Sequence, residues 1–312
     1  MTTRVLVTGA AGYTGSVLCE HLLDGGYEVV AMDNLMHRQM SLFHLCSNPK
    51  FNFLAGDARD ERLLTELVKS ADVIIPLAAI VGAPACDRDP FLAESVNLES
   101  IRLLNRLRSQ EQLVIFPNTN SGYGSVSTDG FCTEDTPLTP ISVYASTKAD
   151  AEKELLDSPN VITLRLATVF GMSPRMRLDL LVNHFTHEAV KSGYIVIYEK
   201  DFKRNYIHIR DVADCYLHCI ENARAMVGKP YNAGLENANL SKEELALAIQ
   251  NRVPGFYIHF SELGQDPDKR NYIVSNQRLS ETGFDASRSL DQGIEELLKG
   301  YRMLGSGLLA NA

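Results

Sequence analysis

The stretch RVLVTGAAGYTGSVLCEHLL, Arg4 to Leu23, decides the fold. RVLV is apolar without alternation, as in a strand covered on both faces. Glycines 9, 12 and 15 follow, and a helical segment runs from Tyr13 to Leu23. Strand, glycine-rich turn and helix in that order open a βαβ unit. The rhythm then repeats: EVVAMD before a helical segment from Met36 to Leu45, FNFLAGD before Glu61 to Val68, DVIIPLAA before Phe91 to Leu107, LVIFPNT before Ser142 to Leu156, and finally VITLRL. Buried strands joined by crossover helices predict an α/β protein with a doubly wound parallel sheet.

After Gly171 the pattern changes. A helix over Leu178 to Lys191, a strand near Ile195, the strand RNYIHI and a helix over Asp211 to Asn222 mix with later short elements. These are too small for a second independent core. Residues 1–171 are therefore expected to form the dinucleotide-binding domain, with 204–223 returning to it, and residues 172–203 and 224–312 a smaller α/β substrate lobe at the sheet's carboxyl edge. With 312 residues, 45% of them hydrophobic, the chain can bury one large core with such a dependent lobe.

Charge and composition exclude several classes. A formal net charge of -9 offers no positive field for nucleic acid or an anionic membrane surface. No apolar run is long enough to span a bilayer, and Met1 to Thr14 runs into the first strand without a cleavable leader, so a cytoplasmic protein is expected. Six cysteines are scattered without a disulfide framework. Cys215, His218 and Cys219 would share a helix face, but no fourth ligand accompanies them, and no metal is expected.

Three motifs carry chemistry. In TGAAGYTG, Thr8 to Gly15, Gly9 permits the tight turn, Gly12 lets the backbone approach a pyrophosphate, and Gly15 allows close packing of helix on strand. Asp33 ends the second strand, where a carboxylate accepts from an adenosine ribose and repels a 2′-phosphate, favouring NAD over NADP. Asp57, after Gly56 at the end of the third strand, is placed to accept from an adenine amino group. The second motif is YASTK, in which Tyr144 and Lys148 share one helix face; a nearby ammonium favours the phenolate and makes the tyrosine a usable base. The third is TNSGYG at the end of the fifth strand, where Thr119 can hold a substrate alcohol while Tyr144 takes its proton.

In order and spacing, TGxxGxxG at Thr8, DNL at Asp33, GD at Gly56, LAA at Leu77, Asn97, TxxxYG at Thr119 and YxxxK at Tyr144 resemble the extended short-chain dehydrogenase/reductase family, across essentially the whole chain. The resemblance implies a Rossmann sheet, NAD as cofactor and a catalytic triad of Thr119, Tyr144 and Lys148. It also implies cofactor contacts from Tyr13, Thr14, Asn34, Ala58, Leu77, Ala78, Ala79 and Asn97 beside the glycines, Asp33 and Asp57. Substrate contacts fall on Val81, Asn120, Thr168, Arg177, Asn183, Arg204 and Arg270, the arginines facing a nucleotide diphosphate. Members commonly form homodimers through a four-helix bundle, here the helices 91–107 and 142–156, with Leu98, Ile101, Leu104 and Leu155 as apolar contacts.

Two departures are Pro76, where many members carry histidine, and Thr168, where asparagine is usual. A third is Asn120-Ser121: the family's 4,6-dehydratases have an acid pair after the catalytic Thr, and an amide and a hydroxyl do not supply that chemistry. The strings PNTNSGYG, RLATVFG, SPRMRLDLLVN, RNYIHIRDV and DPDKRNYIVSN are similar to those of heptose-nucleotide C4-dehydrogenases of capsule pathways, which implies oxidation of a sugar C4 hydroxyl to a ketone. A nucleotide-sugar 4-epimerase needs the same triad and is the alternative. Dehydration and a non-catalytic NAD sensor rank behind both.

Overall fold

The computed structural model describes residues 2–38, 40–126, 130–264 and 270–303; of the DPDKRNYIVSN string, Asp266 to Lys269 lie outside the described residues. In chain order the first half runs β1 Arg4–Thr8, α1 Tyr13–Asp24, β2 Glu28–Asp33, β3 Phe51–Ala55, α2 Glu61–Lys69, β4 Val73–Pro76, α3 Ala83–Arg88, α4 Pro90–Glu94, α5 Ser100–Leu107, β5 Leu113–Thr119, α6 Val143–Leu156 and β6 Val161–Leu166. The second half comprises β7 Thr168–Phe170, α7 Leu181–Lys191, β8 Tyr194–Tyr198, β9 Lys203–His208, α8 Ile209–Glu221, α9 Ala223–Met226, β10 Lys229–Ala233, β11 Asn239–Ser241, α10 Lys242–Gln250, β12 Tyr257–Ser261, α11 Gln277–Ser280 and α12 Leu290–Met303.

The central sheet has seven parallel strands in the order β10-β6-β5-β4-β1-β2-β3. The chain starts in the middle at β1, winds out to β3, then returns to β4 and winds the other way. This reversal opens a crevice at the carboxyl ends of β1 and β4, where open α/β sheets bind ligands. Neighbouring strand residues serve opposite faces: Val5 and Val7 pack with Val17, Leu18 and Val212 of α1 and α8, whereas Leu6, Ile74 and Phe116 pack with Leu64, Ile101 and Ala151 of α2, α5 and α6.

The structure corrects four expectations. Among the described residues between Met36 and Leu45 the helical structure is a single 3₁₀ turn, Phe43–Leu45; Leu35 and Arg38 adopt positive φ, which is incompatible with a helix at those positions. Strand β9 does not return to the central sheet but pairs with β7 and β11 in a small sheet of its own, and what returns is α8, packed on α1. Lys229–Ala233, expected in the lobe, is the seventh sheet strand. As an edge strand paired only to β6, it tolerates Pro230. Finally, Leu98, Ile101, Leu104 and Leu155, expected at a dimer contact, are all buried in the chain's own core. The outward side of α5 and α6 is charged, with Arg102 between Glu99 and Glu154.

The lobe has no core of its own. Val182 and Phe185 of α7, Leu245 and Ile249 of α10 and Leu297 of α12 belong to the same apolar cluster as Val5 and Val17. A hydrogen-bonded strap reinforces the join: Ser173 Oγ donates to the Tyr13 carbonyl (2.8 Å) and meets Ser16 Oγ (3.0 Å). Among the described residues no helix is long and apolar enough to cross a membrane.

Candidate active site

The glycine-rich turn is shaped by contacts that exclude side chains. Gly9 has φ +69, and a Cβ there would lie 2.5 Å from the Ala78 amide nitrogen, so the β1 and β4 loops touch only because residue 9 is glycine. Leu77 N completes the join by donating to the Thr8 carbonyl (2.9 Å). At Gly15 a Cβ would lie 2.5 Å from the Gly9 carbonyl. Helix α1 starts from Gly12 with no side-chain cap, so the first-turn amides of Tyr13 and Thr14 and the positive end of the helix are available to an anion. The Tyr13 ring points the other way, its hydroxyl donating to the Gly171 carbonyl (2.8 Å).

Asp33 accepts from Ala11 N (3.0 Å) on one oxygen and Leu35 N (2.8 Å) on the other. An ionised carboxylate has about four acceptor positions, so the remaining two can take ribose hydroxyls. Asn34 hydrogen-bonds Asp57, bringing the ends of β2 and β3 together. Asp57 also holds the Arg59 guanidinium (2.7 and 2.8 Å), a pairing that keeps its carboxyl near 2, while Ala58 beside it packs on the core. An uncapped helix end, a close glycine turn and a carboxylate with spare acceptors together fit a dinucleotide.

Asn97 serves this cradle indirectly. It sits in a π turn, Ser95–Glu99, and its amide spans the backbone of Ile80, accepting from N (2.8 Å) and donating to O (3.0 Å), with a further bond to Thr147 (3.3 Å). Its polar atoms are thus committed to tying Ile80, which follows the Leu77, Ala78 and Ala79 segment, to Thr147 of α6.

Thr119 ends β5 and caps the following turn, Asn120–Tyr123, its Oγ1 accepting from Ser121 N (3.1 Å) and bonding Ser121 Oγ (3.0 Å). Helix α6, capped by Ser142, packs against that turn and brings Tyr144 and Lys148 to it. Tyr144 is half-buried. Burial pushes its phenol above the ordinary value, and the cations that pull it back are Arg177, then Arg270. Lys148 is 3% exposed, its Nζ 3.9 Å from the Phe116 ring centre, and burial brings its ammonium down from 10.5 to about 7, against the pull of Glu152. Burial thus works against the positive charge that the spacing of YASTK suggests, and Glu152 works for it.

The substrate candidates separate into two groups. Arg177 pairs with Asp179 (Nε to Oδ1 3.1 Å) next to the Val81-Gly82 loop, and Arg270 donates to Ser121 Oγ; both arginines act on Tyr144. Asn120 is 1% exposed, with neither Oδ1 nor Nδ2 hydrogen-bonded. These residues surround the triad. Asn183 lies behind it, fully buried, accepting from Gly171 N (3.0 Å) and donating to Tyr13 Oη (3.1 Å) and the Arg177 carbonyl (2.9 Å). Arg204, 1% exposed, donates to the carbonyls of Lys203 (2.8 Å) and Arg270, so it supports Arg270 from beneath. Thr168 opens β7 opposite Tyr206. Sequence reasoning passed over Asp179, whose nearness in sequence to Arg177 was the available signal, and weighed Ser121 only as a residue standing in place of an acid.

Residues 5–234 match the model of the NAD dependent epimerase/dehydratase family. Among curated proteins, the chain is 30% identical to a low-salt glycan biosynthesis protein of Haloferax volcanii, over 95% of this chain and 98% of that one. It is 29% identical to the UDP-glucose 4-epimerase of Mycolicibacterium smegmatis, over 96% and 98%. Among solved structures, the UDP-glucuronic acid 4-epimerase of Bacillus cereus, in complex with UDP-glucuronic acid and NAD, shares the fold with a TM-score of 0.86, 23% identity and coverage of 96% and 99%. The dTDP-glucose 4,6-dehydratase of Bacillus anthracis, in complex with NAD, does so with 0.84, 23% and 97% of each chain. The crevice that this chain builds for a dinucleotide is thus matched in sequence and in fold: the chain belongs to the NAD-dependent epimerase/dehydratase family, and its cofactor is NAD.

Proposed function

We propose that the protein oxidises the C4 hydroxyl of a nucleotide sugar to a 4-keto sugar, with GDP-D-glycero-D-manno-heptose the first substrate to test. The observation that carries this reading is the pairing of Thr119, Tyr144 and Lys148 with Asn120-Ser121. The chain's own groups can take a proton from a hydroxyl, but the two residues that follow Thr119, Asn120 and Ser121, carry no carboxylate to drive dehydration. The Thr119 hydroxyl orients the sugar alcohol and Tyr144 accepts its proton. Lys148, when protonated, stabilises the phenolate. NAD held in the glycine-rich cradle would supply the hydride acceptor. Arg177 and Arg270 hold the negative part of the substrate and, by the same charges, lower the cost of ionising Tyr144.

The 4-epimerase reading has equal support from the relatives, since it uses the same proton acceptor and returns the hydride to the other sugar face. Incubation with a panel of GDP-, UDP- and dTDP-sugars, following NADH absorbance and product by mass spectrometry and NMR, separates them. Accumulating NADH with a keto product is the expected result. Redox-neutral inversion at C4 assigns the epimerase, and a 6-deoxy-4-keto product refutes the argument from Asn120 and Ser121.

A further inference from the structure

The inner face of α6 carries another charged group that YASTK does not reveal. Glu152 lies one helical turn beyond Lys148 and two beyond Tyr144, so the three side chains form one row. Glu152 is 2% exposed. Strand register builds the floor beneath this row. Phe116 and Asn118 of β5 face the same side, two residues apart, and their partners across β6 are Thr163 and Arg165. Phe116 lies under Lys148, and the other three reach Glu152. Asn118 Nδ2 (2.7 Å) and Thr163 Oγ1 (2.9 Å) donate to one carboxylate oxygen, and Arg165 Nη2 (2.7 Å) and Nε (3.0 Å) to the other.

These four bonds fill the roughly four acceptor positions of the carboxylate. Glu152 is therefore fixed in place, with no position left to bond Lys148, and acts on it through charge. Arg165 is itself held by Tyr123 Oη and the Glu134 carbonyl, both at 3.0 Å. A buried ion pair is a weak source of stability, because well-packed apolar residues often do as well. Its location below Lys148 suggests a different use.

We infer that Glu152 is a positioning residue for the reaction: its immobilised carboxylate supports the positive charge of Lys148 one helical turn from Tyr144, and Arg165 orients that carboxylate. The inference rests on the reading of Tyr144 and Lys148 as the proton-handling pair. Burial favours the neutral amine, and Glu152 opposes it. The other ionisable groups around Tyr144 are Cys86 of α3, Tyr216 of α8, Tyr272, Arg177 and Arg270. At Lys148 itself the charge that opposes burial is that of Glu152.

The test is a pH titration of Lys148 by NMR, using the NAD-saturated full chain labelled with 13Cε-lysine and assigning the resonance by its loss in Lys148→Arg. Glu152→Gln is expected to lower the midpoint by about one unit or more, the usual effect of removing one close opposite charge. Arg165→Lys keeps the charge and should leave it within about half a unit, whereas Arg165→Gln removes the opposing cation and should raise it. A folded Glu152→Gln protein with an unchanged midpoint overturns the inference. If that variant does not fold, Arg165→Gln decides, and an unchanged or lowered midpoint there overturns it equally. No sugar is used, so either result is independent of the substrate reading, which stands or falls on turnover by Tyr144→Phe.

Discussion

Replacing Lys148 with methionine should make the NAD-free protein more stable, most of all near and below neutral pH. An unfolded lysine keeps its proton up to about 10.5, whereas burial holds Lys148 near 7 in the fold. Between those values the unfolded chain binds the extra proton, so wild-type stability rises with pH across this window and is lowest below 7. At about 1.4 kcal/mol per unit the full cost is roughly 5 kcal/mol, and the part recovered between pH 7 and 9 is about 2 kcal/mol. Solvent does not screen this cost, since the side chain is 3% exposed. Methionine has similar length, carries no charge and fills the space over Phe116. Urea unfolding of both proteins, stripped of NAD, at pH 6, 7, 8 and 9 measures the difference. The stability gap should be largest at pH 6 and shrink by about 2 kcal/mol from pH 7 to 9. A gap independent of pH would refute the claim that Lys148 is desolvated, and with it the idea that the site strains its own catalytic cation.

Tyr144→Phe should keep the fold and NAD binding but lose roughly 10²- to 10⁴-fold in turnover, the usual value of a general base; normal turnover with only binding impaired would remove Tyr144 as proton acceptor. In Gly9→Ala, positive φ costs about 1–2 kcal/mol and the new Cβ meets the Ala78 backbone, so calorimetry should show NAD affinity reduced by at least about tenfold. The two arginines should behave differently. Arg270→Ala should act mainly on substrate affinity, while Arg204→Ala, which strips donors from two carbonyls, should cost about 2–4 kcal/mol in thermal or urea unfolding.

Much of this could be read from the chain because local chemistry determined it. Gly12 and Gly15 answer to backbone contacts within one βα turn, and Tyr144 and Lys148 lie one helical turn apart, so local spacing makes them visible, whereas Gly9 also answers to Ala78 of the β4 loop. Strand β10 was not legible: KPYNA is short, lacks branched apolar residues and contains proline, and only its pairing with β6 makes it a sheet strand. The roles of Asn97, Asn183 and Arg204 depend on which backbone groups arrive from distant segments, which no spacing encodes. The leucines of α5 and α6 show the limit of periodicity, since an apolar stripe shows that a face is covered but not by what.

Because the apolar cluster passes without interruption from Val5 and Val17 into Phe185, Leu245 and Leu297, the lobe is not an exchangeable cassette. Cutting the chain at Gly171 would expose both halves of one interior, and grafting a relative's lobe onto this sheet would require recutting every side chain along the join. A change of ligand preference in such an architecture must accumulate residue by residue around the crevice, while the shared interior stays as it is.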